Sequence, residues 1–214
     1  GVNMVSREKI KYYCDLAIQN IIKEGITDVE LFSRPFELEY LKIEKIRSKI
    51  KVAIIEAILK KDFKELKIHK IGHVLVPKKD LCDFRKCAIT DIIDEIIYLT
   101  LVLMVAKPIE EERINSSQNI VFSYRYKPND GVLFNERYHF TSFRNEVIRK
   151  TRIKKNHVLV ECDISNFYDR INIHRIESAL LSFEKADNDI VRLINDILLY
   201  WANRDSYGIP VGSN

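Results

Sequence analysis

Apolar positions recur at three- and four-residue steps from the start of the chain. Ile10, Tyr13, Cys14, Ala17, Ile18, Ile21 and Ile22 form one stripe and predict a helix, which Ser6 can cap and Gly25 can end. A longer helix is predicted from about Phe36 to Lys60. Ile46, Ile50, Ala53, Ile54, Ala57 and Ile58 lie on one face, opposite a solvated face of Lys and Glu. Val74–Val76 reads as a strand before Pro77. Thr90 to Lys107 reads as a very apolar helix stopped by Pro108. Asn119–Tyr126 reads as a strand and Pro128–Gly131 as a turn. Tyr138–Arg152 is helical. His157–Cys162 is a continuous apolar run, expected as a strand in a sheet covered on one or both faces. Helices are then predicted near His174–Lys185 and Asn188–Ala202, the second burying Ile190, Leu193, Ile194, Ile197, Leu198 and Trp201. Helices come first and helix and strand mix later, so the expected fold class is α+β, mostly helical with a small antiparallel sheet.

Composition narrows this picture. The chain has 214 residues, 46% apolar and 31% charged, which suits one large or two small globular domains and excludes a disordered chain. There is no internal repeat and no low-complexity tract. The most apolar run, Ile96–Ala106, is too short to span a bilayer, which needs about 20 residues. The net charge of +4 permits a nucleic-acid partner only where bases cluster. Arg144, Arg149, Lys150, Arg152, Lys154 and Lys155 crowd the stretch before the apolar run at 157–162, where an ordinary solvated basic loop is the competing reading. Four cysteines, Cys14, Cys82, Cys87 and Cys162, form no C-x-x-C, and no signal peptide is evident. Reduced thiols in a cytoplasm are expected. Cys82 and Cys87 lie near His69 and His73, but the spacing fits no zinc pattern and they read as incidental.

Two segments carry candidate chemistry. Asp163 ends the strand-like run, and a carboxylate there can bind Mg²⁺, which favours oxygen ligands; the Ile164 carbonyl can add another. In phosphoryl transfer, paired ions activate the attacking oxygen and stabilise the leaving one. The alternative is an Asp that caps the next helix. Tyr168, five residues on, can floor a sugar pocket and clash with a 2′-hydroxyl, or simply fill core. Asn166 and Asp169 read as local caps. Gly208-Ile-Pro-Val-Gly212 is a stiffened bend that permits close backbone approach, in the first instance only a turn.

The order of these parts resembles reverse transcriptases, in particular the bacterial abortive-infection and phage-defence groups. Asp163-Ile-Ser-Asn-Phe-Tyr-Asp-Arg-Ile171 resembles the first catalytic motif of the palm. Gly208-Ile-Pro-Val-Gly-Ser-Asn214 resembles the next motif, the loop beneath the nascent pair. Arg85-Lys-Cys-Ala-Ile-Thr-Asp-Ile-Ile-Asp-Glu-Ile-Ile-Tyr98 and Val121-Phe-Ser-Tyr-Arg125 look like fingers segments, and Gly25–Glu37 looks like the N-terminal portion of such enzymes.

The resemblance implies a helical region at 1–80, fingers at 81–156 and a partial palm at 157–214. It implies that Asp163 is catalytic and, with Ile164, holds Mg²⁺. It makes Tyr168 the sugar gate. Arg125, Arg85 and Lys86 would contact triphosphate or template, and Pro210 and Gly212 would lie under the new base pair. The implied activity is RNA-directed synthesis of DNA from dNTPs in antiviral defence, with an RNA template and a DNA product. No Asp-Asp pair occurs in these 214 residues, and neither the hairpin that would carry it nor a thumb follows the bend. The chain is therefore expected to be the inactive N-terminal piece of a longer enzyme. The alternative expectation is an inert RNA-binding or self-assembling scaffold with the same fold, and a piece cut short in this way risks self-association into a homo-oligomer through unsatisfied sheet edge and core.

Overall fold

The computed structural model describes residues 5–25, 35–77, 84–153, 158–203 and 205–210. Helix α1 (Arg7–Glu24) starts where the Ser6 side chain accepts the Lys9 amide and ends at Gly25, which takes φ 85°. Burial reaches completion along its stripe at Ile10, Cys14, Ala17 and Ile21.

The long second helix of the sequence reading divides. Helix α2 (Pro35–Lys42) and helix α3 (Glu44–Leu59) meet at Ile43, whose extended backbone breaks the hydrogen-bond ladder. The Arg47 guanidinium donates to the freed carbonyls of Leu41 (3.2 Å) and Lys42 (3.3 Å), so the break is satisfied locally. Helix α4 (Phe63–Leu66) follows, capped by Asp62, and then β1 (Gly72–Pro77) and β2 (Phe84–Ile89) pair antiparallel, with Gly72 opposite Ile89 and Pro77 opposite Phe84.

Helix α5 (Ile92–Glu112) is the axis of the fold. It continues past Pro108, where the sequence pattern predicts an end. Pro108 is buried, and the turn beyond it is held by side chains: Glu110 binds Arg113 and Arg125, and Glu111 binds Lys185 at 2.7 Å. Those contacts outweigh the one backbone bond that proline forfeits. Strands β3 (Tyr126–Asn129) and β4 (Val132–Phe134) then form a hairpin around Asp130 (φ 47°) and Gly131 (φ 77°). Two positive φ values suit the Asp-Gly pair, and the expected turn is found there.

Helix α6 (Phe140–Ile153), the single turn α7 (Phe167–Arg170), α8 (Ile173–Leu181) and α9 (Asn188–Trp201) complete the described elements. The architecture is α+β in the coarse sense expected: mostly helical, with two small antiparallel pairs among the described residues. One continuous core draws Ile10, Ile58, Ile96, Leu101, Ile173 and Ile197 from all three predicted regions. None of the helices described is long and apolar enough to cross a membrane.

Cys14 is a probe of this core. It is fully buried, and burial pushes its thiol up to about 12 despite a hydrogen bond with Thr100. Only the thiolate alkylates, so iodoacetamide is expected to modify exposed Cys162 and to spare Cys14 until the protein is denatured. Labelling of Cys14 in the native state at the Cys162 rate would mean that the packing of α1 against α5 is loose.

Candidate functional site

The segment that carries Asp163 is not a strand. Residues 158–164 have no strand partner among the described residues, and Val158, Leu159 and Val160 are exposed, Val158 by 78%. This corrects the expectation of a buried strand at 157–162, of which His157 lies outside the described residues. A strand persists where its amides and carbonyls meet a neighbour, and both strand pairs described lie elsewhere in the chain. The apolar pattern alone could not reveal a missing partner.

Asp163 and Ile164 are exposed, and Asp163 makes no hydrogen bond or ion pair among the described residues. Asn166 then takes a left-handed backbone (φ 51°) and starts α7 without a side-chain cap, contrary to its expected role. Tyr168 sits on this turn, 43% exposed, edge-on to Phe167 at 5.4 Å.

The Gly-Pro bend folds back onto the same turn. Ile209 N–H donates to the Tyr168 carbonyl (3.1 Å) and Gly208 N–H to the Ile171 carbonyl (2.9 Å). Asn172 and Tyr207 form an antiparallel bridge beside them. Gly208 has φ 91°, a conformation that favours glycine, and a side chain there would stand 3.8 Å from the Asp169 carbonyl. Pro210 is half-buried at the end of this stretch. Val211 and Gly212 lie outside the described residues. The two segments that carried the sequence reading are thus in direct backbone contact, through Tyr168 and Ile171 on one side and Gly208 and Ile209 on the other.

Arg125 is placed differently from its expected role. It is only 5% exposed, its guanidinium pairs with Glu110 at 2.6 Å and donates to the Ile114 carbonyl at 2.8 Å, and it lies 6.0 Å from the Tyr138 ring centre. Residues 119–125 are not the expected strand but a loop. Tyr124 takes φ 48°, and Arg113 donates to the carbonyls of Ser123 (2.8 Å) and Tyr124 (2.7 Å). Arg113 satisfies two carbonyls of this loop in place of a ladder, and Arg125 is engaged by Glu110 and Ile114 rather than exposed for the triphosphate or template contact that the resemblance implies. Lys86 is exposed on β2 opposite Leu75. Arg85 lies opposite Val76, and its side chain lies outside the described residues.

Beside this loop, Phe122 meets Tyr138 (5.9 Å) and Phe143 (6.1 Å), and Phe143 meets Phe140 (6.4 Å). Phe140 and Phe143 are exposed on α6, whose basic residues are unequally engaged. Glu146 holds Arg149 through two hydrogen bonds, which keep its carboxyl below the usual range. Arg144 and Arg152 make no ion pair among the described residues. Lys154 and Lys155 lie outside them. The sequence reading marked the basic run but not the aromatic row, because Phe122 is far from Tyr138 and Phe143 in the chain.

For Mg²⁺, the described residues offer Asp163 and the Ile164 carbonyl, and Asp163 belongs to no group of three or more metal-ligating side chains. One carboxylate does not by itself make the two-metal site of phosphoryl transfer. A group of that size does occur elsewhere, at His69, Asp91 and Asp94. Sequence reading missed it, having weighed His69 against cysteines rather than aspartates. No family model, no curated protein and no solved structure matches this chain.

Proposed function

We propose that the chain is the fingers and partial palm of a reverse transcriptase-like nucleotidyltransferase, which adds deoxynucleotides to a primer on an RNA template in antiviral defence. The observation that carries this reading is the docking of the Gly208–Pro210 bend onto the Tyr168 turn, directly after an unpaired, exposed Asp163. In such an enzyme the carboxylate faces the reacting phosphate, the tyrosine ring faces the sugar, and the bend lies under the new pair.

The aromatic row beside Arg144 gives further support. Stacking rings next to free cations suit single-stranded nucleic acid, where each stacked base contributes about 1–3 kcal/mol. Asp163 alone does not complete a Mg²⁺ site, so the catalytic set needs further carboxylates. The second reading, an inert RNA-binding scaffold, draws on the same aromatic and basic surface and on the exposure of Val158–Val160.

Primer extension separates the two. An enzyme that contains this chain is expected to extend a primer on an RNA template with dNTPs. Tyr168→Ala is expected to raise ribonucleotide use relative to dNTP by roughly tenfold or more, the worth of one steric contact in a pocket. RNA binding with no extension under any nucleotide supply would favour the scaffold and overturn the polymerase.

A further inference from the structure

Asp94 is a carboxylate in need of a cation. Its side chain is 2% exposed, and one of its oxygens accepts the His69 amide at 2.7 Å with the His69 ring at 3.2 Å. Among the described residues no lysine or arginine pairs with it or with Asp91. Its charged neighbours are the His69 ring and a second carboxylate, Asp91. A buried anion in that company is unfavourable unless something positive joins it.

We propose that His69, Asp91 and Asp94 form a binding site for a first-row divalent cation of the zinc type, which clips the α4–β1 link to the first turn of α5. Each residue offers one ligand atom, and the three atoms lie within 4.8 Å of one another. Donors bound at about 2.0–2.2 Å around a tetrahedral ion stand about 3.3–3.6 Å apart, so the widest pair must close by about 1–1.5 Å. The mobile members supply that shift, because His69 is 66% exposed and Asp91 is partly exposed.

The rigid member is already aligned. His69 Nδ1 lies 3.3 Å and 3.2 Å from the two Asp94 oxygens. A strong charge-assisted hydrogen bond measures about 2.7–2.9 Å. Two donors on one tetrahedral zinc stand about 3.3 Å apart, given bonds of about 2.0 Å.

An outer shell holds the ligands. The His69 amide donates to Asp94 at 2.7 Å, and the His69 carbonyl accepts from Trp201 of α9 at 3.3 Å, so its backbone is pinned on both sides. Asp91 Oδ1 accepts the Ile93 amide at 2.8 Å, which orients the carboxylate and leaves its second oxygen free. Imidazole with two carboxylates suits Zn²⁺ or Mn²⁺ better than Ca²⁺ or Mg²⁺, which prefer all-oxygen shells. His69 and Asp94 also border an apolar cavity of about 560 Å³, which leaves a fourth coordination position open on that side. This site is separate from the Asp163 segment and does not depend on the polymerase reading.

Titration of the chelator-treated full chain with Zn²⁺, followed by calorimetry, and with Co²⁺, followed by its visible ligand-field bands, tests the site. One ion per chain is expected, with a rise in melting temperature. Asp91→Asn keeps the helix cap, since Asn caps as well as Asp, and removes one anionic ligand. His69→Gln removes the imidazole. Each is expected to weaken binding by roughly tenfold or more and to bleach the cobalt bands while the apo protein stays folded. Absence of saturable binding, or unchanged affinity in either variant, would overturn the three-residue site and assign any bound ion to other groups such as the cysteines.

Discussion

Replacing Asp163 with alanine is expected to remove nucleotide addition by the proposed enzyme, with a loss of roughly a thousandfold or more in rate, because a metal-held charge is worth several kcal/mol and each 1.36 kcal/mol is a decade. The structure makes this a clean experiment. Asp163 is exposed and makes no hydrogen bond or ion pair among the described residues. Its removal therefore leaves the fold within about 0.5 kcal/mol, the usual range for a surface change. Asp163→Asn serves as the shape-preserving partner and is expected to lose activity to a similar degree, since the anionic oxygen rather than side-chain volume is what matters. Incorporation of dNTPs by either variant at the wild-type rate would sink the assignment. Loss of activity accompanied by a lowered melting temperature would instead mean that Asp163 has a structural partner.

Arg125→Ala is expected to destabilise the protein by about 3 kcal/mol, the low end of the range for breaking a buried ion pair. The guanidinium leaves three connections behind: Glu110, the Ile114 carbonyl and the face of Tyr138. The figure stays at the low end because Glu110 keeps the Tyr126 amide at 3.1 Å and Arg113 at 3.4 Å, and its side chain is 22% exposed. For a protein of this size, that corresponds to a fall in melting temperature of about 6–12 °C. Arg125→Lys is not a rescue, because an ammonium group does not reproduce the planar fork that reaches both Glu110 and Ile114. A change below about 1 kcal/mol in Arg125→Ala would show an unpaired guanidinium and return Arg125 to the surface role that its sequence context implied.

The two residues illustrate what was legible in the chain. Helices α1, α6, α8 and α9 lie close to their expected spans, and the caps Ser6 and Gly25 and the Asp130-Gly131 turn lie where side-chain chemistry placed them. These are local matters: periodicity selects a face, and a hydroxyl or a glycine closes an end. Errors arose where a local pattern met a distant partner. Ile43 splits one predicted helix because Arg47 can satisfy the break, and Pro108 fails to stop α5 because Glu110 and Glu111 hold the turn beyond it. Residues 158–162 have the composition of a strand and find no strand neighbour among the described residues.

The sequence by itself determined the helical frame, the α+β balance, and the two segments, at Asp163–Ile171 and from Gly208 on, on which the proposed function rests. Only the tertiary structure decided that the bend hydrogen-bonds to the Tyr168 turn, that Arg125 lies buried against Glu110, and that His69 faces Asp91 and Asp94. The physical reason is the reach of the forces involved. Side-chain periodicity and backbone capping act over a few residues, whereas desolvation and ion pairing act between groups that meet only when the whole core closes.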